Sequence, residues 1–311
     1  MSKMKKKEPV TPLFRGLFSK DWYKYLFPAA MWVIILLWCV LFILFTFWGV
    51  MTSLKTPAEF YYNKIGFPRS AKGWGFNNYV IVLKNINYQY PNGKRFAYAP
   101  ELLWNSFLFA FMTAFLSIAT LMLTSYVYAR FSHIWFTKIA WWIFLWVNYM
   151  PFTVSLGAEL KLLNSLGLYD NIIGMWVYNC GGFGGGFLLY YATWKGISPE
   201  YSDAAKIDGA GQFRILFSVI LPLTKGLFFV QVLTKFTALW GNYTYNMTYL
   251  PSYPTFALAI WKVRETTEKG LTDITAKLAA FLVFSVPLGL ITYFSKNLIM
   301  DSMSVMGGIK G

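Results

Sequence analysis

Charged side chains are scarce in this sequence. Asp, Glu, Lys and Arg make up 13% of the 311 residues, roughly half the share of an ordinary soluble domain. Hydrophobic residues make up 57% and aromatic residues 21%. A soluble chain of this length cannot bury so much apolar surface. The composition therefore excludes a soluble enzyme, a disordered chain and a coiled coil, and it indicates that lipid is the solvent for most of the chain.

Histidine and cysteine are almost absent. The single histidine, His133, leaves no room for a histidine-based metal site. Cys39 and Cys180 lie in apolar stretches far apart in the sequence, which predicts buried reduced thiols and no disulfide framework. No Gly-x-x-x-x-Gly-Lys-Ser/Thr sequence is present, so the chain lacks that phosphate-binding loop for ATP.

The formal net charge of +15 comes from 28 basic and 13 acidic residues. In a soluble protein this excess would indicate nucleic acid binding. Here the basic residues stand between apolar stretches, which is typical of charges that set membrane topology. We therefore expect a lipid bilayer as the surroundings and no nucleic acid as a partner.

Six long apolar windows predict an all-α membrane protein with six transmembrane helices, since a span needs about 20 apolar residues. No window shows the alternating pattern of an outer-membrane strand. A basic tail over 1–24 precedes a membrane domain over 25–300, and a second tail covers 301–311. The predicted spans are 25–54, 102–129, 138–158, 171–195, 222–243 and 274–296.

The distribution of Lys and Arg predicts that both termini are cytoplasmic. In that orientation the inner side carries 15 basic residues and the outer side 12, seven of which lie in the long loop 55–101. That loop is too long for a simple turn, so we expect short elements within it. Residues 245–272 form a second outer loop.

The segment 198–222 between spans four and five begins like a helix. Ser198 suits the cap, Pro199 the first helical position and Glu200 the positive end of the helix dipole. Gly209 is expected to end this helix, and a second short helix over 212–218 leads to Leu221 and Pro222. From these residues alone, the segment is either an amphipathic connector or a helical pair that docks on another surface.

The order Asp203-Ala204-Ala205, three residues, Gly209, nine residues, Val219-Ile220-Leu221-Pro222 resembles the EAA loop of ABC importer permeases. Asp203 replaces the family's Glu and Val219 replaces its Ile. The form Asp208-Gly209-Ala210 looks like that of sugar-uptake permeases. Further segments that resemble this family are 125–131, 150–151, 166–168 and 240–243, and the ending 307–311 resembles that of the shorter maltose-system permease.

The resemblance implies a type I ABC importer permease fold in a bacterial cell (inner) membrane. It implies one half of a carbohydrate translocation path, with a second permease, two copies of an ABC ATPase and a solute-binding protein as partners. ATP and Mg would be used by the ATPase, and this chain would bind no cofactor. The residues implied to contact the ATPase are Asp203, Ala204, Ala205, Asp208, Gly209, Leu221 and Pro222 in the loop, and Gly307, Gly308 and Lys310 in the tail.

Lys235 is the outlier among the charges. It lies ten residues beyond Lys225, or about 15 Å along a helix, and an intramembrane charge usually faces the bundle interior or a water-filled path. It is a counter-charge for an anionic sugar, an ion-pair partner of the second permease, or a solvated residue on a cavity wall. The other candidates for the substrate path are Gln231, Trp240, Asn242 and Tyr243.

The glycine-rich run 181–186 allows close helix packing or bending, or a broken helix that exposes carbonyls to a ligand. Three other classes compete with the importer hypothesis. A secondary transporter would have no use for the loop 198–222. An intramembrane enzyme would need paired carboxylates, and Glu159, Asp170 and Asp208 form no close pair. The tail and the Asp208-Gly209-Ala210 form argue against an ABC permease for a non-sugar solute, whereas the composition does not.

Overall fold

The computed structural model describes residues 23–69, 71–149, 155–181, 186–265 and 273–308. Its contacts divide the chain into two compact units, one up to Gly75 and one from Phe76 onwards.

The first unit begins with the long apolar helix α1 (Tyr23–Ser53). Its chain reverses beyond Ser53 through the short helix α2 (Pro57–Tyr62), which Thr56 caps by accepting a hydrogen bond from the Glu59 N–H. Lys55 is fully buried at this reversal, and its Nζ donates to the Asn63 carbonyl at 2.9 Å. A buried ammonium needs such an acceptor, so Lys55 holds the reversal together.

The second unit starts with a small α/β layer in the long loop that is predicted to lie on the outer side. Helix α3 (Asn77–Asn85) leads into the antiparallel hairpin of β1 (Asn87–Gln89) and β2 (Phe96–Tyr98), in which Tyr88 faces Ala97. Val82, Ile86 and Ala97 are fully buried here together with Phe256 from the second outer loop. The expectation of short elements within this loop therefore agrees with the structure.

Helix α4 (Ala99–Arg130) is the centre of the second unit. It packs against α8 (Phe187–Gly196) and α11 (Leu221–Trp240), and α11 packs in turn against α14 (Ile274–Gly308). The buried face of α4 carries small side chains, among them Ser106, Ala110, Thr113 and Ala114. Small residues let neighbouring helices approach closely, which is how helices associate in a membrane.

The remaining elements connect these helices. They are α5 (Trp135–Tyr149), α6 (Leu156–Ser165), α7 (Ile172–Asn179), α9 (Pro199–Ile207), α10 (Gln212–Ile215), the π-helical turn Leu216–Ile220, α12 (Tyr243–Tyr249) and α13 (Phe256–Glu265).

Within the described ranges, four helices are long and apolar enough to cross a membrane: Leu26–Ser53, Ala99–Arg130, Gln212–Trp240 and Ile274–Asn297. The window 138–158 instead overlaps most of α5 and the first turn of α6, and the window 171–195 overlaps α7 and most of α8. Polar side chains cap two of these helices: Ser155 caps the start of α6, and Asn171 caps the start of α7. The count of six spans and the cytoplasmic side of both termini remain predictions.

Candidate functional site

Helix α9 begins as its sequence predicts. The Ser198 hydroxyl accepts from the Glu200 N–H, Pro199 occupies the first turn and Glu200 is the acidic residue of that turn. The Ser198 side chain satisfies one of the free N–H groups at the helix start, and Pro199 has no N–H that would need a partner. The Glu200 carboxylate interacts favourably with the positive end of the helix dipole. The start of the helix is therefore determined locally.

The end of α9 depends on Gly209, whose φ is +77°. The Gly209 N–H donates to Lys206 O and the Ala210 N–H donates to Ala205 O, both at 2.9 Å. This pair of bonds is a Schellman motif, which needs a left-handed residue that glycine adopts without strain. Asp208 is the exposed cap residue. The chain can thus reverse sharply into α10.

The alanine pair does not form one exposed face. Ala205 is half-buried and packs on the main apolar cluster of the second unit, whereas Ala204 is exposed. Adjacent residues differ by about 100° around a helix, so one alanine faces inward and the other outward. Exposed Asp203 accepts from Lys206 Nζ at 2.8 Å. An exposed ion pair is worth less than about 1 kcal/mol, so a partner could easily replace Lys206.

Exposed apolar side chains surround this helical pair, and the sequence reading did not single them out. Ile207 is 87% exposed and Phe213 is 81% exposed, and Tyr201 and Phe217 are also exposed. Apolar side chains clustered on a polar loop mark an interaction surface. The exposure of Tyr201 and Ile207 could have been inferred from the helical period of α9 once the inward positions Ser202 and Ala205 were known.

A continuous helix carries this loop into the membrane domain. The π-helical turn Leu216–Ile220 joins α10 to α11, so the helix runs from Gln212 to Trp240 without a break. Leu221 is half-buried against the main apolar cluster, and Pro222 is exposed in the first turn of α11. A rigid helix can transmit a displacement of the loop into the bundle.

Gly307 and Gly308 lie at the C-terminal end of α14, whereas Lys310 lies outside the described residues. Of the glycine run, Gly182, Gly184 and Gly185 also lie outside them. Gly186 is described: a Cβ there would lie 3.5 Å from Leu121 and 3.6 Å from Gln231 Oε1. This part of the run therefore packs closely against α4 and α11.

Gln231 and Lys235 lie one helical turn apart on α11, and both are half-buried. In the part of the chain that the structure describes, no carboxylate lies within ion-pair distance of Lys235. Gln231 faces Gly186 of the glycine run. The two side chains thus place an amide and an unpaired ammonium on the middle of a predicted span.

The other three candidates have contacts that shape the fold. Trp240 is buried, donates from Nε1 to Phe284 O at 3.1 Å and stacks on the Phe284 ring. Asn242 caps α12 by accepting from the Tyr245 N–H. Tyr243 stacks on Trp261 at 5.4 Å and lines a cavity of about 160 Å³. Of these three, Tyr243 borders open space.

A polar cluster joins α6, α7 and α12 on the predicted outer side. The Tyr178 hydroxyl donates to Glu159. Asn179 Nδ2 donates to the Tyr245 hydroxyl at 2.7 Å. Burial raises the pKa of Tyr245 to about 12, so its phenol is neutral at physiological pH. The sequence showed no signal for this cluster because its members are far apart along the chain.

Asp170 fixes the second predicted outer loop nearby. Both of its carboxylate oxygens accept from Ser252, one from the backbone N–H and one from the hydroxyl. Among the described residues, no group of three or more His, Cys, Asp or Glu side chains is placed to hold a metal ion.

One solved structure matches nearly the whole chain. It is a bacterial ABC transporter involved in the import of the acidic polysaccharide alginate, with a TM-score of 0.70 over 90% of this chain and 98% of that one, at 17% identity. This chain has the fold of an ABC importer permease.

Curated relatives of this chain are named as permeases of ABC transport systems. The maltodextrin transport system permease protein MdxG of Bacillus subtilis is 26% identical over 67% of this chain and 74% of the relative. A probable ABC transporter permease protein of Pyrococcus horikoshii is 35% identical, but the match spans 32% of this chain and 36% of the relative. No protein-family model matches the chain. The resemblance to carbohydrate ABC permeases is confirmed, and the chain is a multi-pass membrane protein.

Proposed function

We propose that this chain is the transmembrane permease subunit of an ATP-driven importer of carbohydrates, with oligosaccharides as the substrate class. The observation that carries the proposal is the match of nearly the full chain to a polysaccharide importer. The similarity to a maltodextrin permease over two thirds of the chain supports the same substrate class. A secondary transporter is not favoured, because the relatives are permeases of ABC systems.

The motor of this importer is a separate polypeptide, because the sequence contains no Walker-type phosphate loop. ATP and Mg are used by two copies of a cytoplasmic ATPase, and this chain itself holds no cofactor. A second permease completes the path, and a solute-binding protein delivers the sugar to the outer loops. The membrane is the bacterial cell membrane.

The loop 198–222 is the coupling element in this proposal. Asp203, Ala204, Asp208 and Gly209 stand on the exposed side of α9 or at its end, where an ATPase surface can reach them. Ala205, Leu221 and Pro222 connect α9 to the membrane domain instead. Gly307, Gly308 and Lys310 form a second contact at the tail.

The substrate path runs along α11. We propose Gln231 and Tyr243 as residues that face it, with Trp240 and Asn242 holding the outer end of α11 in place through their contacts with Phe284 and α12. An anionic sugar is the second candidate substrate. It is favoured by Lys235, which has no carboxylate within ion-pair distance among the described residues, and by the acidic polysaccharide that the structural neighbour's system imports.

Affinity purification of the tagged chain from its native host in mild detergent, with mass spectrometry, tests the proposal. We expect a second permease and an ATPase that carries a phosphate loop. Recovery of the chain alone, under conditions that preserve known ABC complexes, would refute the coupling role and favour a secondary transporter. Uptake of labelled neutral and acidic oligosaccharides by cells with and without the gene then distinguishes the two substrate classes.

A further inference from the structure

A small cavity of about 210 Å³ opens where α4 ends, α5 begins and α8 ends. None of the transport residues discussed above lines it. Its walls combine aromatic rings, hydroxyl groups and an ammonium group. The residues that matter here are Tyr128, Ser132, Lys138, Trp141, Trp142 and Tyr191.

Two lysines give this cavity a positive charge. Lys138 lines it and is exposed. Lys195 lies at its edge, with Nζ 3.4 Å from Ser132 Oγ and 5.9 Å from the centre of the Tyr191 ring. Over the described ranges, neither lysine forms an ion pair with a carboxylate. The cavity therefore offers two ammonium groups and a serine hydroxyl to an anion.

A second, larger cavity adjoins the first and is apolar. It has a volume of about 620 Å³ and is lined by Trp142, Ile143, Leu145 and Trp146. Trp142 lines both cavities. Because residues four apart share a helix face, Lys138, Trp142 and Trp146 form one stripe along α5. This stripe starts with a charge and becomes fully apolar over about 12 Å.

We propose that these two cavities bind one anionic phospholipid. Its phosphate lies between Lys138 and Lys195, and an acyl chain lies along Trp142 and Trp146. The order of charge and apolar surface along α5 matches the order of headgroup and tail, and basic pockets between spans suit anionic headgroups. Free phosphate would use only the first cavity. A helix of a partner protein would need its own acidic residues opposite both lysines.

The position of this site connects it to the candidate coupling loop. Trp141 packs on Tyr191 of α8 with ring centres 4.7 Å apart, and α8 ends at Gly196, three residues before α9 begins. A bound lipid would therefore stabilise the packing of α5 on the helix that leads into α9. The binding site itself depends only on the chain lying in a membrane. The link to coupling rests on the proposed function.

Native mass spectrometry of the full chain in detergent tests the binding. Phosphatidylglycerol and phosphatidylcholine with identical acyl chains are compared. Since each surface lysine contributes about fivefold in affinity for anionic lipid, we expect phosphatidylglycerol to bind about 30-fold more tightly. The double substitution Lys138→Gln with Lys195→Gln should remove this preference, and Lys138→Arg with Lys195→Arg should retain it.

Lys225→Gln is the matched control, because Lys225 is also an exposed lysine near the start of a span but lies on α11. It should leave the preference for phosphatidylglycerol unchanged. Equal binding of the two lipids, or an unchanged preference in the double Gln variant, would refute the site. Displacement of the lipid by millimolar inorganic phosphate would show that the site takes a free anion instead.

A photoreactive benzoylphenylalanine in place of Trp142 distinguishes lipid from protein as the occupant. Irradiation of membranes should yield an adduct with the mass of a phospholipid. An adduct with another polypeptide would overturn the proposal. None of these measurements requires the ATPase. The lipid site can therefore be refuted while the importer function stands, and the importer function can be refuted while the lipid site stands.

Discussion

Gly209 allows the sharpest test of how the candidate coupling loop is built. Its φ of +77° lies in the left-handed region, and a Cβ at this position would meet nothing within 4 Å. The substitution Gly209→Ala therefore introduces no clash with another residue. Its only cost is the backbone conformation, which is about 1–2 kcal/mol for a residue with a Cβ.

That cost reduces the fraction of molecules in which α9 ends correctly. If the ATPase binds only the native loop, its apparent dissociation constant rises by the same factor. A penalty of about 1–2 kcal/mol therefore weakens binding by at most roughly 5- to 30-fold. We expect the amount of co-purified ATPase and the rate of sugar uptake to fall accordingly, with the same amount of permease in the membrane.

Gly211→Ala is the matched control. Gly211 lies two residues further on, also has free space around its Cβ position, and has φ −70° and ψ 165°, which any residue adopts. It should bind the ATPase normally. Gly209→Asn should show a smaller loss than Gly209→Ala, because asparagine tolerates the left-handed region. Equal behaviour of the two alanine variants would refute the assignment of Gly209 as a backbone requirement.

Three further predictions concern other parts of the chain. Lys235→Met should reduce uptake of an anionic sugar or weaken assembly with the second permease. Unchanged uptake and assembly would leave Lys235 as a solvated residue on the cavity wall. Ser106→Ala should cost about 1–3 kcal/mol, because the buried Ser106 hydroxyl accepts from Phe256 N and donates to Leu102 O. The control is Ser285→Ala, since Ser285 is exposed and its hydroxyl donates only to Leu282 O. This variant should leave the melting temperature nearly unchanged. Equal melting temperatures for the two variants would contradict the stabilising role of the Ser106 hydroxyl. Burial and a 2.7 Å hydrogen bond to Glu101 raise the pKa of Tyr90 to about 12. The stability that comes from this neutral phenol is therefore present below pH 10 and lost as pH rises towards 12. A carbon-13 titration of labelled tyrosine, assigned with Tyr90→Phe, measures it, and Glu101→Gln should move the midpoint down.

Local features of this chain were predictable from the order of its residues. The start of α9 at Ser198 and Pro199 and its end at Gly209 depend on neighbours within five residues, so the structure repeats what the sequence predicts. The long windows of α4 and α11 were equally clear, because about 20 apolar residues suffice to identify a span. The two middle windows were less clear, since caps within or beside an apolar stretch are weak signals.

The composition and the order of residues thus determined that the chain is a helical membrane protein and where its candidate coupling loop lies. Only the tertiary structure decided that Ala205 faces inward and Ala204 outward, that Gln231 faces Gly186, and that Glu159 meets Tyr178. The physical reason is distance along the chain. Capping and helix formation act between near neighbours, whereas each of these contacts depends on how separate helices pack, and the sequence of one helix does not state which neighbour its faces meet.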